Sequence, residues 1–491
     1  MDNKKEVLLQ DLEYVTDNMS DESIRCYRSM VESGENPFPS KLAESVNAND
    51  FRKADMGSFV IAGRIIGETT KNGVKFFELS HKYGTILVEI PKKTNVQIGD
   101  IVEVSSNKFD GTVRSPSIRV ITKSFVRLLR KDDWEKMSDD FKKQHRDIEM
   151  IVNEELKKRF IQRSKINSLI RRFYEDRGFI EVETPLMQPF PEIAPVKPFV
   201  VEEPRYSQTC NLRITNTEYM RRLMVAGFDR IYQLGKCFRD EPLSFRHFPE
   251  FTQLTFGIAF ADYNALMKNI EELLYTINIE INNSSMINFQ GQKLDLTPPW
   301  QKISVRSALI KYAGLDIEEF SNPDDLCDKI VSNGLSIPER FEYGGFLKMA
   351  ALVDKLIEDC VRDKLVQPTF LCEYPWYLGG PAKELDENPK YKKRSEIFIA
   401  GIELANISTP QNNPLKVRKW YKDTLTLKQE SGWKNQLLDE PYLHAIDQGI
   451  PICTTGGLGV DRLMMFVLGQ ENIEDVLLFP WRKSEEQGEL K

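Results

Sequence analysis

The sequence predicts an α+β chain in which a small five-stranded barrel precedes a larger domain built on an antiparallel sheet flanked by helices. Three observations predict it. From Phe59 to about Thr122, short alternating segments are separated by turn signals such as Lys71-Asn-Gly73 and Tyr83-Gly84. Beyond Gly178, strands and helices alternate without the regular βαβ rhythm of a doubly wound fold. The residues best suited to chemistry lie on paired segments that read as long hairpins, the geometry of an antiparallel sheet.

Length and composition agree with that architecture. A chain of 491 residues is too long for one ordinary core, so two or three domains are expected. Hydrophobic residues at 41% and charged residues at 29% are the balance of a soluble globular protein. A net charge of -7 argues against a generally basic coat for nucleic acid, though a local basic face remains open. No run reaches the length of a membrane span, and Met1-Asp-Asn-Lys-Lys leads into no signal-peptide core. Seven scattered cysteines without a C-x-x-C pair point to a reducing, cytoplasmic address.

In chain order, residues 1–55 read as a helical extension ending near Gly34-Glu-Asn-Pro-Phe-Pro39, where two prolines stop any helix. Residues 56–125 carry the strands Val60–Ile66, Phe76–Leu79, Thr85–Ile90 and Ile101–Val104, which suit a small closed barrel of the OB kind. Such barrels often bind single-stranded nucleic acid, and a non-binding adaptor is an equal reading of the strand pattern. Residues 126–160 are highly charged and read as a linker entering a helix, and 161–491 form the larger domain. There Phe179-Ile-Glu-Val-Glu-Thr-Pro185 reads as a strand closed by proline.

The chemistry concentrates in three places. Alternation along Ile231–Glu241 puts Gln233, Gly235, Cys237, Arg239 and Glu241 on one face. Along Glu250–Phe260 it puts Phe251, Gln253, Thr255, Gly257 and Ala259 on one face and Leu254, Phe256, Ile258 and Phe260 on the other. The loop Pro242–Pro249 can lean over this floor with Arg246 and His247. The Arg239 guanidinium matches phosphate oxygens, Glu241 could accept from an adenine amino group, and Phe251 offers a stacking surface. A solvated Arg239–Glu241 pair is the plain alternative. Second, Gly456-Gly-Leu-Gly459 permits close backbone approach before Asp461-Arg462 opens a helix running to Leu468. An arginine there opposes the helix dipole unless an anion joins it, and a buried Asp-Arg pair competes with that reading. Third, a two-residue turn at Ala400-Gly401 sets Phe398 opposite Glu403 and brings Glu396 to the same face. Two converging carboxylates call for a cation, and Mg²⁺ on ATP phosphates fits. No G-x-x-x-x-G-K-[ST] loop occurs, so phosphate is not held in the P-loop manner.

These residues carry a family resemblance. Phe179–Met187, Phe238-Arg-Asp-Glu to Phe251, and Gly457–Arg462 resemble motifs 1, 2 and 3 of the class II aminoacyl-tRNA synthetases, and the chain is similar to the lysyl branch over nearly its whole length. Gly34–Lys41, Gln367-Pro-Thr-Phe, Glu373-Tyr-Pro375, Ala400–Asn406 and Asp475–Pro480 support this. The resemblance implies a class II antiparallel sheet flanked by helices, an OB-fold anticodon-binding domain before it, and a homodimer joined through motif 1. It implies ATP and Mg²⁺, with an amino acid and tRNA as further partners. It places Arg239 on the α-phosphate, Glu241 and Phe251 on adenine, His247 on the phosphates and Gly459 beside the nucleotide. Glu396 and Glu403 fall on Mg²⁺, Arg462 on the γ-phosphate, Glu218 on the substrate α-amino group and Asn406 beside the amino acid. Arg239 and Arg462 are then the catalytic pair, acting by charge neutralisation.

Departures from the lysyl pattern are as informative. Thr255 and Pro410 stand where that branch has two glutamates for the substrate ammonium, and Gly257 and Ser408 replace an aromatic neighbourhood. Glu192-Ile193 stands in place of a glycine pair on the amino-acid wall. In the barrel, Phe76 remains as a base-stacking residue while the polar readers around Leu87 and Ser115 are absent. The Ala400–Asn406 string also resembles the paralogue that lysylates elongation factor P. Expected, therefore, is ATP-dependent amino-acid activation with transfer to tRNA. The alternatives are a divergent paralogue charging a protein, carrier or small molecule, and a non-catalytic RNA-binding relative.

Overall fold

The computed structural model of the chain describes residues 19–39, 59–81, 84–107, 109–126, 128, 131–193, 196–203, 205, 208–338, 345–430 and 437–480. Of the expected N-terminal extension, 1–18 and 40–55 lie outside the described residues, as does Tyr83 of the second turn signal. The chain divides into two compact units, the smaller taking in the chain to Lys157 and again from Phe479, the larger spanning Lys158–Leu478.

The smaller unit holds strands β1 (Phe59–Lys71), β2 (Val74–His81), β3 (Gly84–Glu89), β4 (Ile101–Ser106) and β5 (Ser117–Thr122). They form one antiparallel sheet in the order β3-β2-β1-β4-β5. Asn72 and Gly73 take φ of 51° and 75°, the left-handed pair that a tight hairpin needs and that Asn-Gly supplies. Val113, ahead of β5, bonds through its backbone to Leu87 and Glu89 of β3, which draws the two edges of the sheet toward closure. Alternate residues, among them Ile61, Ile65, Phe77, Val88, Val104 and Val120, fill its interior. The helix Asp21–Glu32 starts at Ser20, whose side chain caps Ser23 N–H, and buries Tyr27, Met30 and Val31. The stretch expected as a linker carries the helices Lys131–Glu135, Asp139–Gln144 and Arg146–Val152. Its charge hid a cap: Ser138 accepts from Phe141 N–H ahead of Asp139 and Asp140, which complement the helix dipole.

The larger unit begins within the long helix Glu154–Glu175. Its strands are β6 (Ile180–Glu181), β7 (Met187–Gln188), β8 (Val200–Glu203), β9 (Gln208–Leu212), β10 (Arg230–Phe238), β11 (Glu250–Ala259), β12 (Met286–Phe289), β13 (Gln292–Asp295), β14 (Gln301–Ser304), β15 (Thr369–Pro375), β16 (Tyr391–Ile399), β17 (Ile402–Ser408) and β18 (Cys453–Gly459). An eight-stranded sheet runs β14-β15-β16-β17-β18-β11-β10-β6. It is antiparallel throughout except for parallel pairing at its two edges, β14 with β15 and β6 with β10. The strand expected over 179–185 is therefore confined to two residues. One face packs Leu254, Phe256, Ile397 and Ile407 against the helices Tyr263–Asn282 and Val460–Val467. Phe260, expected on that face, is 73% exposed, because a φ of 58° at the strand end turns its ring outward. Among the described residues no helix is long and apolar enough to cross a membrane.

Candidate active site

Strand register brings the sequence candidates into rows across the opposite face of the large sheet. One row reads Gln233, Thr255, Gly457, Asn406 and Glu396 from β10 through β11, β18 and β17 to β16. The next reads Ile231, Gly257, Thr455, Ser408 and Arg394. On the other side lie Gly235, Gln253 and Gly459, and then Cys237 opposite Phe251. Gly457 leaves room for Gln253: a Cβ there would fall 2.1 Å from its Nε2, so the amide would have to move.

The acidic pair comes from the β16–β17 hairpin. Ala400 and Gly401 take φ of 49° and 72°, forming the expected two-residue turn with Phe398 opposite Glu403. A bulge between Ile397 and Phe398 shifts Glu396 opposite Asn406, whose Nδ2 donates to Glu396 Oε1 at 3.3 Å. Burial first, and then the charge of Glu403, push the Glu396 carboxyl up to about 7. Arg394 opposes that rise by donating to Glu396 Oε1 at 2.6 Å. It sits two residues before Glu396 on the same strand, so alternation alone could have found it.

The cations converge from three stretches. Arg239 follows β10, with its guanidinium carbon 5.1 Å from the Phe251 ring centroid and its Nε buried without a hydrogen-bond partner. Glu241 follows on the same loop, its N–H donating to the Arg239 carbonyl. Arg246 and His247 come next, where the backbones of Ser244 and His247 bond to each other and Ser244 Oγ lies 2.8 Å from His247 Nδ1. Burial, then Arg462 and Arg246, push the His247 imidazole down to about 4, so it is neutral at pH 7. Arg462 stands in the first turn of the helix Val460–Val467, which Gly459 caps and which begins three residues earlier than the sequence suggested. Its guanidinium reaches the Glu403 carbonyl and lies 3.9 Å from Glu403 Oε2. Burial lowers its pKa, opposed by Glu403 and reinforced by Arg239, Arg246 and Arg362. Arg239, Arg246 and Arg462 repel one another here, and an anion placed between them would relieve that repulsion.

Asp461 does not pair with Arg462. It is 1% exposed and accepts from Arg163 Nη2 and from Thr252 N–H, both at 2.6 Å. The competing Asp-Arg pair therefore exists with a different arginine, which leaves Arg462 to the cluster. Arg163, Arg362 and Asp354, an acid whose pKa is raised by desolvation where it packs beside the site, were not visible as participants. Their positions depend on helix packing that the sequence does not encode locally.

At the other end of the rows, Glu218 lies in the first turn of the helix Thr217–Val225 and accepts from the Tyr421 hydroxyl. Burial and Glu192 raise its pKa well above the carboxylate range. Glu192 is brought directly beside it, but both Glu192 oxygens already accept, from Thr217 Oγ1 at 2.7 Å and Glu218 N–H at 3.1 Å. It therefore caps that helix, a task Asn216 does not perform. Pro410 bridges to Ala382 beside the floor.

Residues 138–483 match the family model of class II tRNA synthetases (D, K and N). The chain belongs to the class II aminoacyl-tRNA synthetases. As such it is a ligase, and the antiparallel floor just described is the class II sheet. The synthetase is 32% identical over 473 residues to the lysine–tRNA ligase of Syntrophomonas wolfei subsp. wolfei, covering 92% of this chain and 94% of the relative. It is 32% identical over 479 residues to that of Moorella thermoacetica, covering 93% and 96%. For a Clostridium perfringens lysine–tRNA ligase the figures are 30% over 476 residues, 92% and 94%.

The synthetase's smaller unit treats its candidate base-stacking residue differently from expectation. Phe76 is 1% exposed, and the guanidinium carbon of Arg114 stands 4.9 Å from its ring centroid. The ring is thus covered rather than offered to a base.

Proposed function

We propose that the protein activates an amino acid with ATP, forming an aminoacyl-adenylate and pyrophosphate, and passes the aminoacyl group to the terminal ribose of a tRNA. The observation that carries this is the gathering of Arg239, Arg246, His247 and Arg462 beside the Glu396–Glu403 pair on one sheet face. The amino acid's carboxylate attacks the α-phosphorus, a step that needs no side-chain nucleophile. Arg239 neutralises the α-phosphate as its charge grows, Arg462 holds the γ-phosphate, and His247 contacts the phosphates between them. Glu241 and Phe251 seat adenine, and Gly459 lets the backbone approach the nucleotide. Glu218 receives the α-ammonium and Asn406 borders the amino acid.

The acidic pair fits Mg²⁺. A carboxyl raised to about 7 by burial and by its acidic neighbour gains from a cation, and both side chains are oxygen ligands. Bound there, Mg²⁺ would neutralise charge on the triphosphate. A homodimer through motif 1 accompanies this reading, supported by the exposed Ile180, Leu186 and Met187.

A second reading keeps the adenylate and changes the acceptor to a protein or small molecule. The covered Phe76 favours it, since stacking on that ring would require Arg114 to move. Labelled pyrophosphate exchange across an amino-acid panel, followed by acceptor charging with total tRNA, tests both. Exchange with charging supports the first reading, exchange without charging the second, and absence of exchange refutes both.

A further inference from the structure

Beyond the phosphate cluster the sheet floor continues as Thr255, Gly257, Thr455 and Ser408. None of these four positions supplies a carboxylate. Thr255 is 1% exposed and Thr455 2%, and the hydroxyl of Thr455 is buried without a hydrogen-bond partner. Since Thr255 pairs with Gly457 and Gly257 with Thr455, the two threonines are diagonal neighbours on one face. That places them roughly 7 Å apart, a gap one polar group can serve. An unpaired buried hydroxyl is costly, and that of Thr455, beside Thr255 on this floor, signals a missing partner.

The same floor is short. A Cβ on Gly257 would fall 2.2 Å from Cε of Met224, so the methionine methyl occupies the space above that glycine. Met224 is 2% exposed and packed among Met220, Tyr421 and Tyr442. Its chain therefore closes the floor above Gly257.

We propose that the activated amino acid has a short, uncharged side chain bearing a hydrogen-bonding group, held at Thr255 and Thr455, with Met224 as the end wall that sets its length. This rests on the adenylation reading above. The ammonium of a longer, basic side chain would meet hydroxyls and a thioether, with no carboxylate at its end. The flexible Met224 chain adjusts its fit to a small group more readily than a branched residue could.

The test is calorimetric binding of three non-hydrolysable adenylate mimics, the seryl, alanyl and lysyl sulfamoyl-adenosines, to the full chain. The seryl compound should bind at least 100-fold more tightly than the lysyl one. Thr255→Val should bring the seryl compound down to the alanyl level while leaving the alanyl affinity within threefold. Met224→Ala should narrow the seryl–lysyl gap by tenfold or more. Lysyl binding equal to or tighter than seryl overturns the inference and leaves the adenylation reading standing. Failure of all three to bind a folded protein overturns the adenylation reading, and the inference with it.

Discussion

Replacing Glu396 with glutamine separates what the site needs from what the fold tolerates. Glu396 keeps its proton to about 7 because burial and Glu403 oppose its charge. Between pH 4.5 and 7 the unfolded chain releases this proton and the folded chain retains it. Stability therefore falls as pH rises through that window and stays lowered above it. Raising a buried carboxyl from 4.5 to about 7 costs about 3 kcal/mol once the group is ionised. Glu396→Gln keeps the shape and an acceptor for Arg394 and Asn406, now at 2.6 and 3.3 Å. The unliganded variant should thus gain up to about 3 kcal/mol in urea unfolding at pH 8 and less than about 1 kcal/mol at pH 5. The same change removes half of the acidic pair, so amino-acid-dependent pyrophosphate exchange should fall at least ~100-fold and added Mg²⁺ should not restore it. A loss of stability at pH 8, or an equal gain at both pH values, would refute the electrostatic account of the pair.

Arg239→Ala should abolish pyrophosphate exchange at a stability cost of about 1 kcal/mol, because its Nε has no partner in the unliganded protein to lose. Near-normal exchange would remove it from the phosphate site. Asp461→Asn should cost about 3 kcal/mol or more in urea unfolding, since it strips a buried partner from Arg163. A neutral result would mean that this pair does not anchor the helix bearing Arg462. The chain has four histidines, so His247 can be followed by NMR, titrating near 4 in the free protein and higher once ATP phosphates offset the neighbouring arginines. An imidazole that ignores ATP would place the phosphates elsewhere.

Much of this site was legible because strand alternation is local. The faces of Ile231–Phe238 and Glu250–Ala259, and the turns at Asn72-Gly73 and Ala400-Gly401, follow from residue spacing and from which residues tolerate positive φ. What spacing could not supply is contact between distant elements. Arg163 reaching Asp461, Met224 filling the space over Gly257, and Arg114 covering Phe76 each depend on how separate elements pack. Glu192 shows the same limit: its place on the amino-acid wall follows from the sequence, and its contacts with Thr217 and the Glu218 N–H depend on packing. In 126–160, net charge concealed short helices whose signal lay in Ser138 rather than in composition. The partial loss of β6 to an edge pair of two residues has no counterpart in its alternating sequence.

In the proposed function Arg239 and Arg462 would hold a folded-back triphosphate, and Glu396 and Glu403 would hold its metal. A crystal structure of the protein with ATP and Mn²⁺, read by anomalous scattering, tests it most directly. The account predicts an anomalous peak ligated by both carboxylates, the α-phosphate against Arg239 and the γ-phosphate against Arg462. A nucleotide bound with its phosphates away from both arginines, or a metal touching neither glutamate, would contradict it.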